Sequence, residues 1–376
     1  MAGIYIHVPF CKKKCIYCDF FSVGTLGKIQ QYPSLIEKEL LLRFQFIPKS
    51  NIETIYFGGG TPSLLDVYQI ESILNSIAKT YKLSANPEVT LEANPDDITE
   101  DIVNGYRSVG INRLSIGVQS FNDDELIFLG RRHNAIAAEK SIEIARKNSF
   151  DNISIDLIYG IPGSSVESWD KSLQKAFSLG VEHLSCYHLT YEEKTILTKK
   201  LRERLFSELD ENTSINQFNL LRELASKNNY IHYEVSNFAK EGFCSQHNSA
   251  YWKGINYLGL GPAAHSYNGL VREWNPGSYV DWQEGIETGH PKTQREELNE
   301  LTQFNEILLT RLRTIWGIDL IELGKKFDKD LIDQLLENTK IHLKEKRLVL
   351  MNNHLTIPSE FYFVSDGIIS DLIIVD

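Results

Sequence analysis

Sulfur is scarce in this chain, with five cysteines and two methionines in 376 residues. Five cysteines are too few for a disulfide scaffold; three crowd into eight positions, and Cys186 and Cys244 stand alone. Sparse, clustered thiols point to a reduced compartment and to metal ligation. Long apolar runs are missing too: none approaches the roughly 18–20 residues that span a bilayer. Met1–Phe10 has neither a basic n-region nor an apolar h-region of signal-peptide length. The expectation is a cytoplasmic protein with no transmembrane segment. Positive charge is in deficit, with 39 Lys and Arg against 50 Asp and Glu and a formal charge of −11. Duplex-binding proteins carry the opposite excess to displace counterions, so nucleic acid is not an expected partner. The remaining composition, 42% hydrophobic and 24% charged, excludes a largely disordered chain and allows two or three domains.

What is present is a regular alternation. Strand patterns fall at Ile4–Val8, Thr54–Phe57, Val89–Ala93, Arg113–Val118, Ile153–Ile158 and His183–Leu189. Several are apolar almost throughout, as parallel strands covered on both faces should be. Helical patterns lie between them at Tyr32–Phe46, Tyr68–Tyr81, Asp101–Val109, Ile136–Lys147 and Val166–Leu179. Five βα units and a sixth strand predict a parallel α/β sheet, open or curled into a partial barrel. Ligands gather at the C-terminal ends of such strands. Unusual residues recur there: the cysteine cluster after the first strand, Gly58-Gly59-Gly60-Thr61-Pro62 after the second, and Glu92-Ala93-Asn94-Pro95 at the third. Gln119-Ser120 ends the fourth, and Asp156 with Tyr159-Gly160-Ile161-Pro162 ends the fifth.

Beyond these units the pattern is helical from Leu201 to Lys227, then aromatic- and glycine-rich from Tyr230 to Gly289. Helices at Leu301–Leu312 and Leu331–Glu345 precede a hairpin, Leu348–Met351 and His354–Ile357, turning at Asn352-Asn353. Two helices and a wing suggest a winged-helix-like α+β module. Residues 319–376 hold 7 Lys and Arg against 11 Asp and Glu, the wrong sign for reading DNA, so a structural, lid or docking role is expected. The domain reading is 1–240 for the core, 241–300 for a connecting segment and 301–376 for the module.

The strongest chemical signal is Cys11-Lys12-Lys13-Lys14-Cys15-Ile16-Tyr17-Cys18. Three thiolates at C-x3-C-x2-C spacing on one loop can each reach one iron of a cubane cluster, leaving the fourth iron without a local cysteine. Zinc would want four ligands, usually in two close pairs, and no second pair follows. The lysines read either as a solvated loop or as an offset to cluster charge. The glycine run lets backbone amides approach a ligand, although alone it more often marks a tight turn. Glu92 can pair with a ribose or an ammonium, or can be a surface carboxylate. Arg131 can grip a carboxylate bidentately, and Asp156 can accept ribose hydroxyls.

The cysteine loop, together with Tyr5-Ile6-His7-Val8-Pro9-Phe10-Cys11, Gly58-Gly59-Gly60-Thr61-Pro62, Gly117-Val118-Gln119-Ser120-Phe121 and Leu129-Gly130-Arg131, resembles the radical S-adenosylmethionine (SAM) superfamily, HemN/HemW branch. That branch contains an oxygen-independent coproporphyrinogen III oxidase and a haem chaperone. The resemblance covers about residues 3–300 and implies a partial parallel (βα)6 barrel. It implies a [4Fe–4S] cluster on Cys11, Cys15 and Cys18 with SAM chelating the open iron. It also implies SAM contacts from Tyr5, Tyr17, Gly59, Gly60, Thr61, Glu92, Gln119, Arg131 and Asp156, some serving a second SAM. Two departures from the oxidase pattern favour the chaperone side: Asp19-Phe20-Phe21 follows Cys18 where the oxidase has a further cysteine, and only ten residues precede Cys11. His247-Asn248-Ser249-Ala250-Tyr251-Trp252 is similar to the chaperone's H-N-x-x-Y-W motif and implies His247 as a haem ligand. Read from residues alone, His247 is a buried histidine in an aromatic core. His265 is a second candidate; Cys186 reads as a small buried residue, and Cys244 lacks a C-x-x-C-H attachment sequence. The implied partners are haem, a haem-accepting protein and an electron donor. The competing expectations are oxidative decarboxylation of coproporphyrinogen III and a zinc-stabilised binding protein.

Overall fold

Six parallel strands follow one another across the sheet in chain order: β1 (Ala2–Val8), β2 (Asn51–Gly59), β3 (Lys82–Ala93), β4 (Arg113–Gln119), β5 (Ile153–Tyr159) and β6 (His183–His188). The computed structural model describes residues 1–47 and 51–375. The crossovers run through α1 (Tyr32–Arg43), α2 (Val67–Thr80), α3 (Glu100–Ser108), α4 (Asp123–Leu129) with α5 (Ala135–Lys147), and α6 (Val166–Ser178). This is the expected parallel α/β partial barrel.

Alternation along each strand sorts the two faces. Ile4, Ile6 and Val8, with Ile55, Phe57, Leu91, Leu114, Ile116, Ile155 and Leu157, are fully buried in the main core. That core takes in Ile70, Ile73 and Ile77, spaced three and four apart on one face of α2. Asp66 starts α2 with a reciprocal capping box to Gln69, and Ser165 does the same for α6 with Ser168. The opposite strand faces carry Tyr5, Tyr56, Glu92, Arg113, Ser115, Asp156 and Ser185, in matched register. Apolar residues therefore bind the strands to the helical coat, and polar ones line the lumen.

Six further strands extend this sheet. β7 (Ile231–Glu234) and β8 (Asn237–Ala239) continue it antiparallel beyond β6. Beyond β1 lie β9 (Tyr257–Leu260), parallel to it, and then antiparallel β10 (His265–Tyr267), β11 (Val271–Trp274) and β12 (Gln294–Glu297). A buried network fixes this extension to α1. Glu39 bonds the Gly261 amide, Asn275 and Trp282, while Arg43 bonds Glu39, Gly259 and Ser266.

The helical pattern expected over 201–227 divides in two. α7 (Ile196–Arg202) ends at Arg204, whose φ is 57°, and α8 (Glu211–Lys227) starts afresh where Asp210 accepts the Thr213 amide. The apolar residues between them belong to a turn, which periodicity alone does not reveal. α9 (Gln246–Trp252) and α10 (Tyr279–Glu287) lie in the aromatic segment. The C-terminal module has α11 (Glu300–Arg311), β13 (Ile318–Asp319), α12 (Leu320–Lys326), α13 (Lys329–Lys344), the hairpin β14 (Val349–Met351) and β15 (His354–Thr356), and α14 (Ser365–Leu372). Asn352 and Asn353 take φ of 51° and 63°, the left-handed pair that a two-residue hairpin turn requires.

Candidate metal and cofactor site

The loop after β1 is held from both sides. The Ile16 amide donates to the Leu129 carbonyl at 3.4 Å, and the Leu197 amide donates to the Ile16 carbonyl at 2.8 Å. Gly130, with φ of 76°, closes α4 in the left-handed region; a side chain there would press on Ile16. The next residue, Arg131, turns inward. It donates to Cys15 Sγ at 3.3 Å, to Asn94 Oδ1 at 2.8 Å and to the Gly117 carbonyl at 2.6 Å, while its buried Nε has no partner. The Thr61 hydroxyl donates to Cys11 Sγ at 3.5 Å and accepts from Asn94 Nδ2 at 3.4 Å.

Among the described residues, no group of three or more His, Cys, Asp or Glu side chains is arranged to hold a metal ion. The three thiols nevertheless share one electrostatic environment. Burial, and then the neighbouring Cys15 and Cys11, push the Cys18 thiol up. Tyr17 is raised by burial and by Cys15 and Cys18, against the opposing pull of Arg131. A cationic guanidinium and a hydroxyl already directed at two sulfurs are the donors that thiolates of a cluster would keep. The donor set fits a three-cysteine cluster.

The glycine run acts differently from its simplest reading. The Gly59 amide donates to Glu92 Oε2 at 3.1 Å, and the Gly60 amide donates to the Val8 carbonyl at 2.8 Å. Both amides are committed within the protein. A Cβ on Gly60 would lie 2.8 Å from the Val8 and Phe10 carbonyl oxygens, so this glycine lets β2 close against the cysteine loop.

Two carboxylates face each other in the lumen. Glu92 accepts from Tyr56 at 2.8 Å; burial, then Asp156, push its pKa up to about 7. Burial pushes Asp156 up to about 6, against stabilising contacts from Ser185, Arg113 and Arg131. Two desolvated acids near a guanidinium suit a ligand that carries its own cation and hydroxyl groups, as SAM does. Gln119 ends β4 with φ of 69°, an uncommon value for a side-chain-bearing residue, and lies beside Gly117. Tyr5 stacks on Tyr56 with centroids 6.1 Å apart. The structure thus gathers Cys15, Thr61, Glu92, Arg131 and Asp156 at one end of the barrel. Asn94, in the stretch already noted after the third strand, bonds both Arg131 and Thr61. Tyr56 in mid-strand and Arg113 at the start of β4 adjoin the acids without having been singled out; their lumen-facing positions in the strand alternation were the available signal.

His247 lies beneath this cluster and in contact with it, stacked on Tyr56 with ring centroids 5.0 Å apart and on Tyr5 at 6.3 Å. It is 2% exposed, its Nδ1 is 2.7 Å from Thr54 Oγ1 and its Nε2 is 2.8 Å from the Tyr251 hydroxyl. Burial, aided by Arg113, pulls its pKa down to about 3. Tyr251 stands between it and a cleft of about 1080 Å³, formed where the β1 edge of the barrel meets the C-terminal module. Phe20 and Phe21, just after Cys18, form part of the same cleft wall.

A partial βα barrel with three thiols on its first loop and buried acids at its strand ends defines the class of protein. The family described as the Radical SAM superfamily matches residues 5–176. The chain is 34% identical over 363 residues to the Heme chaperone HemW of Lactococcus lactis, covering 93% of this chain and 95% of that protein. Identity to the Heme chaperone HemW of Bacillus subtilis is 33% over 352 residues, 93% of each. The coproporphyrinogen III oxidase HemN of Escherichia coli shares the fold, with a TM-score of 0.86 over 99% of this chain and 90% of that one at 20% identity. The chain belongs to the radical SAM superfamily, in the branch of these HemW relatives.

Proposed function

We propose that this chain is a haem chaperone: it binds haem and passes it to an acceptor protein, with a [4Fe–4S] cluster on Cys11, Cys15 and Cys18 and SAM at the open iron. The observation that carries the reading is the cleft of about 1080 Å³ whose wall includes Asp19, Phe20 and Phe21, directly after Cys18. Its volume is just above the roughly 300–1,000 Å³ typical of small-molecule sites. Its aromatic lining suits a flat macrocycle, and its proximity to the cysteine loop joins haem and cluster in one functional unit.

A cluster held by Cys11, Cys15 and Cys18 would supply an open iron for the SAM amino and carboxylate groups and an electron for its sulfonium. The residues have separate roles around it. Arg131 would set its positive charge against the Cys15 thiolate and the SAM carboxylate. Glu92 and Asp156 would accept from the ammonium and ribose, giving up the protons that burial favours. Tyr5 and Tyr17 would wall the adenosyl group, with Gly59, Gly60 and Thr61 shaping the floor and Gln119 at the end of the fourth strand. His247 braces the wall through Tyr251. No described helix is long and apolar enough to cross a membrane, and all five cysteines are free; a cytoplasmic home with a reducing electron donor belongs to the same reading.

The test is paired. Anaerobically reconstituted protein with SAM and a strong reductant is supplied with coproporphyrinogen III, and products are resolved by mass. Separately, the haem-loaded protein is mixed with an apo-haem acceptor. The expected result is haem transfer without decarboxylation. Loss of two carboxyl groups to give protoporphyrinogen would instead make the protein an oxidase.

A further inference from the structure

The three lysines between Cys11 and Cys15 are not one solvated run. Lys12 Nζ donates to Asp97 Oδ1 at 2.6 Å, and Lys14 Nζ donates to the Phe20 carbonyl at 3.3 Å. Lys13 is exposed and has no ion-pair partner among the described residues. Asp97 is the unusual member of the group. Its side chain is 3% exposed, unlike the solvated carboxylates of surface ion pairs that contribute little. The Ser63 hydroxyl donates to its Oδ2 at 3.0 Å, and Arg132 lies 3.7 Å from Oδ1 while pairing with Asp96 at 2.6 Å. Two cations thus meet two carboxylates. The Lys12 charge is already balanced and is not left over to offset that of a cluster.

These partners repeat, one step further out, the contacts made at the sulfurs. Thr61 reaches Cys11, and Ser63, two residues on, reaches Asp97. Arg131 reaches Cys15, and the adjacent Arg132 pairs with Asp96. Lys12 itself directly follows Cys11. All converge on one short segment after β3. Asn94 bonds Thr61 and Arg131, and its own amide donates to Ser63 Oγ at 3.3 Å. The Asp97 amide donates to the Asn94 carbonyl at 3.0 Å within the single turn Pro95–Asp97. A buried carboxylate that holds donors from separate loops fixes their spacing, because releasing a donor leaves it desolvated and under-bonded.

We infer that Asp97 is a positioning residue for the cysteine loop: through Lys12 it anchors Cys11, and through Ser63 and Arg132 it ties that anchor to the loops carrying Thr61 and Arg131. Lys12 acts as a staple and not as a counter-charge. This rests on the cluster reading above and names the residues that set the loop for it.

The experiment compares Lys12→Gln, Lys13→Gln, Asp97→Asn and the Lys12→Gln/Asp97→Asn double variant in the full chain. Iodoacetamide labelling of the metal-free thiols reports the order of the loop. Loss of visible absorbance to an iron chelator, after anaerobic reconstitution, reports cluster retention, with denaturant midpoints followed alongside. Lys12→Gln and Asp97→Asn should each speed both Cys11 labelling and cluster loss by about tenfold, the lower end of effects for outer-shell partners of metal ligands. The double variant should be no worse than the poorer single one. Lys12→Arg should recover most of the retention, and Lys13→Gln should match the parent. The Lys12 and Asp97 substitutions change net charge in opposite senses. A counter-charge role would therefore move the cluster's midpoint potential in opposite directions and give Lys13→Gln an effect like that of Lys12→Gln. That pattern, or unchanged labelling and retention in both single variants, would overturn the assignment while leaving the cluster intact. If Asp97→Asn does not fold, the half-exposed Lys12 still decides the matter. Wild-type protein that takes up no iron and sulfide sinks the cluster reading, and this inference with it.

Discussion

Replacing Glu92 by Gln should change stability and ligand binding in opposite directions. In the lumen the Glu92 carboxyl is pushed from 4.5 to about 7, a difference on the order of 3 kcal/mol between its ionised form here and in the unfolded chain. The sign follows from proton binding. With the folded pKa raised, the folded protein binds more protons between about pH 4.5 and 7, so this group's contribution is present in acid and is lost as pH rises through about 7. Gln carries no such charge, but its amide cannot accept from both the Tyr56 hydroxyl and the Gly59 amide, which costs about 1–2 kcal/mol. The cofactor-free variant should therefore be about 1–2 kcal/mol more stable than the parent at pH 8. At pH 5 the ionisation cost falls below about 1 kcal/mol, so the advantage should vanish or reverse. His247 and His133 are pulled down to about 3 and about 4, so they lose stability as pH falls below their unfolded value. They do so in both proteins and cancel in the difference. SAM binding, by contrast, should weaken by about 10–100-fold through the lost charge-assisted bond. Urea unfolding at the two pH values and calorimetric SAM titration of the reconstituted protein provide the readouts. A variant less stable than the parent at pH 8, with unchanged SAM affinity, would refute the placement of Glu92 as a desolvated acid awaiting a cation.

Alanine at Cys11, Cys15 or Cys18 should each abolish the cluster's visible absorbance, whereas alanine at Cys244 should retain it; iron and sulfide analysis decides, and a full cluster without any one of the three would remove that thiol from the ligand set. Gly60→Ala should destabilise the chain by about 1–3 kcal/mol, because the neighbours that its Cβ meets at 2.8 Å are backbone carbonyls that cannot swing aside. Denaturant midpoints measure this, and a neutral result would mean that β2 and the cysteine loop separate at little cost.

Near-continuous burial of β1, β4 and β5 is what made the parallel strands legible, because short β-branched and apolar residues recur at every helix-facing position. The cysteine spacing is equally local, because three donors within eight positions are together in any loop that forms. Arg131 carried a motif that identified it, but not its three simultaneous partners on the loop after β1, at the end of β3 and on β4. Such a contact depends on how strands align in register, which no short stretch encodes. The breaks at Arg204 and Asp210 were hidden because a turn made of helix-favouring residues leaves periodicity nearly intact.

The histidines mark the division most clearly. In the sequence, His247 sits in a recognisable six-residue motif and His265 in an ordinary glycine-rich stretch, so the motif ranks His247 first. Tertiary structure reverses their accessibility: Thr54 of β2 and Tyr251 of α9 occupy the His247 nitrogens, while β10 presents His265 to the cleft. The sequence determined the barrel, the thiol loop and the polar strand ends, because each is written in local period and spacing. Which nitrogens are engaged, and which residues wall a cleft between barrel and module, was decided only when segments distant in the chain packed together.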